Sequence, residues 1–306
     1  MGGKKKITEV LDYTCGKIFY DEPMSRHTSL KVGGNADALV IIESEDQLKL
    51  IVRKLKTAEI NYLPAGNLTN IIVRDGGYRG AILLMSGLHE INYEQMPDGA
   101  HNICAQAGAA LSSVVGLSAA HKLTGCEFCA GIPGSVGGAV WMNAGAFGVE
   151  VKDVVTDVAL LNADSEKLIL KREEIVFNYR RTVLPQETII LYARLKLEKG
   201  DRKKIQEKIS EIMQTRREKH PLTYPNAGSI FKNLPGMPAG RIIEEIGLKG
   251  KFFGDAEVSQ KHANFIVNKG KATATDVLAL IGLIADKAKK EKGIDLETEV
   301  IVIGDN

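Results

Sequence analysis

An α+β chain with sheets in more than one domain is what this sequence predicts, on three observations. Residues 36–66 run strand, helix, strand, and residues 154–198 hold three strand-like runs, the last alternating as a half-buried sheet does. A charged helix over 201–220 then stops just before Pro221, where a further set of short elements begins. At 306 residues the chain exceeds most single cores, which points to two or three domains.

Each element has its own signal. "ADALVIIES" (36–44) is strand-like, "EDQLKLIVRKLKT" (45–57) spaces its apolar residues helically, and "INYLPAG" (60–66) returns to strand. "TNIIVRDGGYRGAILL" (69–84) reads as strand, Asp-Gly-Gly turn, strand. "NICAQAGA" (102–109) is a short strand and "LSSVVGLSAAHKL" (111–123) a helix, followed by the glycine-dense 125–148. "VVTDVALLN", "KLILK" and "TIILYARLKLE" are strands. "PAGRIIEEIG" (238–247) is a short helix with Pro near its start and Gly247 after its end. Thr275 and Asp276 are expected to cap a helix whose Val277, Leu280, Ile281, Ile284 and Ala288 share one face and which closes at Gly293. "ETEVIVIG" (297–304) is a final strand.

The bulk numbers exclude several classes. Hydrophobic content of 44%, charged content of 25% and 31 glycines describe a globular chain rich in tight turns, not a disordered or fibrous one. A net charge of +2 argues against a broad nucleic-acid surface and leaves room for local anion pockets. Cys15, Cys104, Cys126 and Cys129 include one C-x-x-C pair, "CEFC", without the second pair or histidines that zinc requires, so buried thiols in a reducing compartment are expected and no metal. Lys4, Lys5 and Lys6 read as a solvated tail. No apolar run approaches membrane-spanning length, and a soluble cytoplasmic protein, monomeric by default, is expected.

Two glycine-rich stretches, "PAGNLTN" (64–70) and "GIPGSVGGAVWMNAGA" (131–146), can turn successive backbone N–H groups toward an anion. Neither is the G-x-G-x-x-G dinucleotide fingerprint, and either can equally be a turn without ligand. A third, "RHTSLKVGGNAD" (26–37), reads alone as a loop. "YPNAGSIFKN" (224–233) sets Ser229 among residues that do not supply the glycines of a hydrolase elbow. Arg180, Lys232, Asn233 and Glu299 offer, with Ser229, the groups that hold a carboxylate or phosphate; each can also be a solvated charge or a structural hydrogen-bonding group.

Taken in order, "GIPGSVGGAVWMNAGAFG", "PNAGSIFKN", "PAGRIIEEIGLKG" and "SQKHANFIVNKG" resemble the UDP-N-acetylenolpyruvoylglucosamine reductase family over nearly the whole chain, from about residue 26 to 304. The resemblance implies a vanillyl-alcohol-oxidase-type FAD-binding fold in two subdomains plus a C-terminal α+β substrate-binding domain. Its boundaries are 1–88, 89–200 and 201–306, with the last strand able to return to the FAD-binding region. It further implies that NADPH reduces FAD and gives way to a UDP-sugar enolpyruvyl ether, whose vinyl carbon receives hydride from flavin N5. The charge left on the adjacent carbon spreads into the carboxylate. An unactivated hydroxyl is a very weak acid and suits only a strong base such as this carbanion, so Ser229 matches the family's general acid. Arg180 and Glu299 match the pair that orients the carboxylate and stabilises developing charge. Lys232 and Asn233 are implied to bind substrate, whereas His262 and Asn264 receive no step.

The same match puts Thr28, Gly33 and Gly34, then Gly66, Asn67, Leu68, Thr69 and Asn70, around the cofactor. Gly131, Ile132, Pro133, Gly134, Ser135, Gly137 and Gly138 follow, and then Asn143, Ala144, Gly145 and Ala146. Leu68 stands where the family has glycine; a positive φ there would cost on the order of 1 kcal/mol. The short interval between Arg180 and Ser229 resembles the subclass without a tyrosine-bearing lid loop. Two alternatives stay open from sequence: another FAD-dependent oxidoreductase of the same fold, and a UDP-sugar-binding protein that has lost FAD.

Overall fold

A computed structural model describes residues 2–12 and 16–306, with side chains from residue 6 in the first stretch. Cys15 and the side chains of Lys4 and Lys5 lie outside it. The chain divides into two compact units: residues 1–19, 38–67 and 80–216, and residues 20–37, 68–79 and 217–306.

In the first unit the dominant feature is an antiparallel sheet in the order Lys167–Lys171, Val155–Leu161, Ile189–Lys199, His101–Gln106, Ile91–Gln95. Strand alternation sends Val158 and Leu160 into a core with Val114, Phe128 and Val140, and Ala159 and Leu161 into a second core with Leu48, Ile51 and Leu83. Both faces are therefore apolar, which explains why this strand reads as a nearly continuous hydrophobic run. The second core is closed by the Glu45–Thr57 helix, N-capped by Ser44, whose hydroxyl accepts from the Gln47 N–H at 3.1 Å. The Gly2–Leu11 segment is also helical and buries Ile7 and Leu11 in this core, while Lys6 is exposed. The apolar spacing of Ile7, Val10 and Leu11, partly masked by the lysines, is what docks it.

The two strands flanking the Asp-Gly-Gly turn part company. Tyr78–Leu84 joins a sheet ordered Ile18–Pro23, Asn35–Ile41, Tyr78–Leu84, Tyr62–Ala65, whereas Ile71–Val73 pairs in parallel with Ile301–Ile303.

In the second unit, Phe252–Phe253, Ala256–Val258 and Ile266–Asn268 form an antiparallel sheet. Its core holds Phe231, Ile242, Ile243, Val258, Ile266 and Val300 together with the expected face of the Ala274–Lys292 helix: Val277, Leu280, Ile281, Ile284 and Ala288. That helix starts earlier than expected. Thr273, not Thr275, is its N-cap in a reciprocal box with Asp276, because Thr275 commits its hydroxyl to Asp75 at 2.6 Å. Its end is as expected, with Gly293 in the left-handed conformation at φ 67°. The final strand is shorter than its alternation implies: only Ile301–Ile303 pairs as a strand, and residues 297–300 run along the segment that follows Ser229.

Candidate active site

Ser229 sits half-buried at the start of a segment tied down on both sides. The Asn226 side chain shapes the preceding turn by accepting from the Gly228 N–H at 3.0 Å, and Gly228 takes φ 77°. Beyond the serine, Ile230 and Phe231 are anchors in the apolar core, each 1% exposed. Along one edge the Glu299 N–H donates to the Ile230 carbonyl at 2.7 Å, and the Lys232 N–H donates to the Glu297 carbonyl at 2.8 Å. Glu299 is held from its other side by Asn70, whose Nδ2 donates to the Glu299 carbonyl at 3.0 Å. Three sequence candidates, Ser229, Glu299 and Asn70, are thus brought together within the second unit.

The neighbours of Ser229 have protein partners. Lys232 Nζ is 2.5 Å from a Glu297 carboxylate oxygen, and Asn233 Oδ1 accepts from the Ala239 N–H at 3.0 Å at the start of the Ala239–Glu245 helix. His262 packs edge-on to His220 and Phe265, and its Nδ1 accepts from the Asn264 N–H at 3.2 Å. Burial pushes the imidazole below the usual histidine range, so it is a packed neutral ring at neutral pH.

Thr28 is fully buried, donates from its hydroxyl to the Val32 carbonyl at 2.8 Å, and so shapes the turn that carries Gly33 and Gly34. The Gly34 N–H in turn donates to the Arg74 carbonyl at 3.1 Å. Leu68 adopts φ 51° with its side chain 3% exposed. Here is the left-handed conformation for which glycine is the usual residue; the leucine carries the strain while filling apolar space.

Arg180 belongs to the first unit. It occupies the two-residue loop between the strands Val176–Asn178 and Arg181–Val183, itself at φ 55°. Nη2 donates to the Gly145 carbonyl at 3.0 Å, Nη1 lies 3.7 Å from Glu150 Oε1, and the guanidinium stands 4.8 Å from the Tyr179 ring centre. Asn143, buried completely, ties the same parts together: its Nδ2 donates to Glu150 at 2.9 Å and to the Asn178 carbonyl at 3.0 Å, and its Oδ1 accepts from the Lys152 N–H at 3.1 Å. Its carboxamide is committed to protein on both its nitrogen and its oxygen, so Asn143 holds this segment in shape.

Also within the first unit, the two glycine-rich stretches touch. A Cβ on Gly66 would lie 2.2 Å from Ser135 Oγ, so only glycine lets the 64–67 turn close on 131–138. Gly131, at φ 71°, packs against the Arg216 side chain, where a Cβ would be 2.7 Å from Cδ. Arg216 does not stand out in the sequence, where it is one cation in a charged helix. Its Nε is buried without a hydrogen-bond partner among the described residues, and its guanidinium lies 5.9 Å from the Phe147 ring centre. Close backbone approach, glycine N–H groups and a buried donor lacking an acceptor fit an anionic group such as the FAD pyrophosphate.

Cys126 and Cys129 are buried free thiols. Cys126 donates to Ser118 Oγ at 2.9 Å, and burial pushes its thiol up to about 11 and that of Cys129 higher still, which leaves neither as a reactive thiolate. No cluster of metal-ligating side chains, and no helix long and apolar enough to cross a membrane, occurs among the described residues.

Residues 36–170 match the FAD binding domain family, and residues 220–303 match the C-terminal domain of UDP-N-acetylenolpyruvoylglucosamine reductase. The UDP-N-acetylenolpyruvoylglucosamine reductase of Syntrophus aciditrophicus is 49% identical over 95% of this chain and 93% of its own. That of Caldanaerobacter subterraneus is 44% identical over 98% of this chain and 97% of its own. The crystal structure of the Thermus caldophilus enzyme superimposes with a TM-score of 0.79 at 33% identity, covering 95% of this chain and 99% of that one. The α+β architecture with an FAD-binding fold of the vanillyl-alcohol-oxidase type, expected from the motifs, is the one present. The chain belongs to the UDP-N-acetylenolpyruvoylglucosamine reductase family.

Proposed function

We propose that Ser229, Arg180 and Glu299 carry the chemistry of this family: NADPH-dependent reduction of UDP-N-acetylglucosamine enolpyruvate to UDP-N-acetylmuramate in peptidoglycan synthesis. FAD, when bound, supplies two-electron chemistry between NADPH and the enolpyruvyl ether. The residues to hold it are Thr28, Gly33, Gly34, the 66–70 turn, and backbone groups of 131–138 and 143–146, with Arg216 as a partner for its negative charge.

Ser229 donates a proton to the carbon beside the substrate carboxylate. A hydroxyl this weakly acidic stays protonated at working pH and gives up its proton only to a base as strong as that carbanion. Arg180 offers the carboxylate a planar guanidinium that remains charged, and its loop and its hydrogen bond to Gly145 fix where that charge is presented. Glu299 acts with Arg180 to orient the substrate carboxylate, and the guanidinium of the pair stabilises the negative charge as it develops. Lys232 and Asn233 bind the diphosphate or carboxylate of the UDP-sugar.

The observation that carries this reading is the 2.7 Å bond from the Glu299 N–H to the Ile230 carbonyl, which registers the carboxylate-bearing chain against the serine-bearing one. We place the reaction in the cytoplasm and take the monomer as the working unit. Anaerobic stopped-flow absorbance tests it: NADPH bleaches the flavin of the purified holoenzyme, and the enolpyruvyl UDP-sugar then restores its colour. Bleaching that other reductants reproduce but the UDP-sugar does not reverse would overturn the assignment.

A further inference from the structure

The edge of the Ser229 segment opposite Glu299 is held by one side chain. Asn264, 2% exposed, lies in the turn that joins Ala256–Val258 to Ile266–Asn268. Its Oδ1 accepts from the Phe231 N–H at 2.9 Å, its Nδ2 donates to the Phe231 carbonyl at 2.8 Å, and its own carbonyl accepts from the Ile230 N–H at 2.8 Å. The carboxamide thus reproduces the paired donor and acceptor that a neighbouring strand would offer Phe231. With Glu299 bonded to the Ile230 carbonyl, both backbone groups of Ile230 and both of Phe231 are satisfied.

The turn that presents Asn264 is itself held. Ser259 Oγ accepts from the N–H of Lys261 at 3.1 Å and of His262 at 3.3 Å, and the Ser259 N–H donates to the Phe265 carbonyl at 2.8 Å. His262 Nδ1 accepts the Asn264 N–H, so the backbone and side chain of Asn264 are both oriented before they meet the serine segment. Ile230, the residue bonded by the Asn264 carbonyl, is the one that directly follows Ser229. Displacement of this anchor is transmitted to the serine hydroxyl through a single residue.

We propose that Asn264 is a positioning residue for proton donation by Ser229. The inference rests on the reading of Ser229 as the general acid. Apolar side chains of similar size cannot replace Asn264, because they leave the Phe231 N–H and carbonyl buried and unpaired. Aspartate keeps the acceptor for Phe231 N–H and sets a negative charge against the Phe231 carbonyl, so it retains half of the fork.

The test compares four holoenzymes, wild type, Asn264→Ala, Ser229→Ala and the double variant, in the two flavin half-reactions by anaerobic stopped flow. Asn264→Ala is expected to slow reoxidation by the enolpyruvyl UDP-sugar by about tenfold to a hundredfold, the loss typical of a reacting group displaced by about 1 Å. Flavin reduction by NADPH stays within about twofold of wild type, since the serine takes no part in it. The solvent deuterium isotope effect on reoxidation rises, because transfer from a displaced hydroxyl becomes slower than the other steps. The double variant reoxidises no more slowly than Ser229→Ala, as two residues acting through one proton transfer are not additive. Where the alanine variant fails to fold, Asn264→Asp reads out the same split.

Equal losses in both half-reactions, an unchanged isotope effect, or a double variant slowed by the product of the two single effects would each show that Asn264 only supports the fold. Normal reoxidation in Ser229→Ala would remove the general acid and this proposal with it. Slow reoxidation in Ser229→Ala with normal reoxidation in Asn264→Ala would remove the positioning role alone.

Discussion

The backbone N–H of Glu299 donates to the carbonyl of Ile230 at 2.7 Å, so the segment bearing the proposed acid and the segment bearing the proposed carboxylate share one hydrogen bond. Substitution of either side chain leaves that bond in place, because it is made by backbone. Ser229→Ala and Glu299→Gln are therefore expected to fold like wild type and to bleach with NADPH at nearly the normal rate. Reoxidation by the UDP-sugar should fall by about a hundredfold to ten-thousandfold in Ser229→Ala, the range for loss of a general acid. Stopped-flow traces of the two half-reactions separate the effects, and comparable slowing of both would count against the assigned role.

Arg216 carries a different prediction. A buried Nε with no acceptor among the described residues is a cost to the fold that an anionic ligand removes. Arg216→Met should leave the melting temperature of the FAD-free protein unchanged or raised, while FAD binds about tenfold to a hundredfold more weakly, the worth of one charge-assisted hydrogen bond. Calorimetric titration of FAD into both apoproteins, with thermal melts alongside, checks the two halves. A variant that binds FAD as well as wild type would show that Arg216 serves another anion.

What sequence made visible here was local, and what it hid was the pairing of distant segments. The helix face from Val277 to Ala288 was readable because its period is set by the helix itself, and Gly293 because only its backbone conformation ends that helix. Thr275 was expected as the cap, but Asp75, far away in the chain, claims its hydroxyl and the cap falls on Thr273. Residues 297–300 alternate like a strand, yet their partner is the short 230–232 segment, which no periodicity reveals. Ser229 stood out through a long motif, and Glu299 through its match to the family's pair. Asn264 stood inside another long motif without a role, since a carboxamide that bridges one backbone unit has the same letter as one that faces water.

Leu68 sets backbone strain against burial. Its φ of 51° costs about 1 kcal/mol relative to glycine, but its side chain is 3% exposed, and emptying such a site costs about 2–5 kcal/mol. Sequence alone presents only the strain and favours Leu68→Gly. With burial included, the glycine variant is expected to be less stable by about 1–4 kcal/mol, read as a lower urea midpoint of the apoprotein. A midpoint equal to or above that of wild type would mean that backbone strain outweighs the loss of packing.

His262 gives the protein an acid-sensitive contact next to the serine segment. Its Nδ1 can accept the Asn264 N–H only while the ring is not doubly protonated, and burial lowers its affinity for the proton, with Lys249 acting in the same direction and Glu244 against it. Because the folded state binds this proton less readily than the unfolded chain, the contribution is whole above the ordinary histidine pKa of about 6.5. It is lost as pH falls from there through the lower folded value. Urea midpoints measured from pH 7.5 down to pH 5 should fall more steeply for wild type than for His262→Gln, whose side chain does not titrate. Parallel curves would show that His262 keeps the same proton affinity folded and unfolded, and that its contact with Asn264 survives acidification.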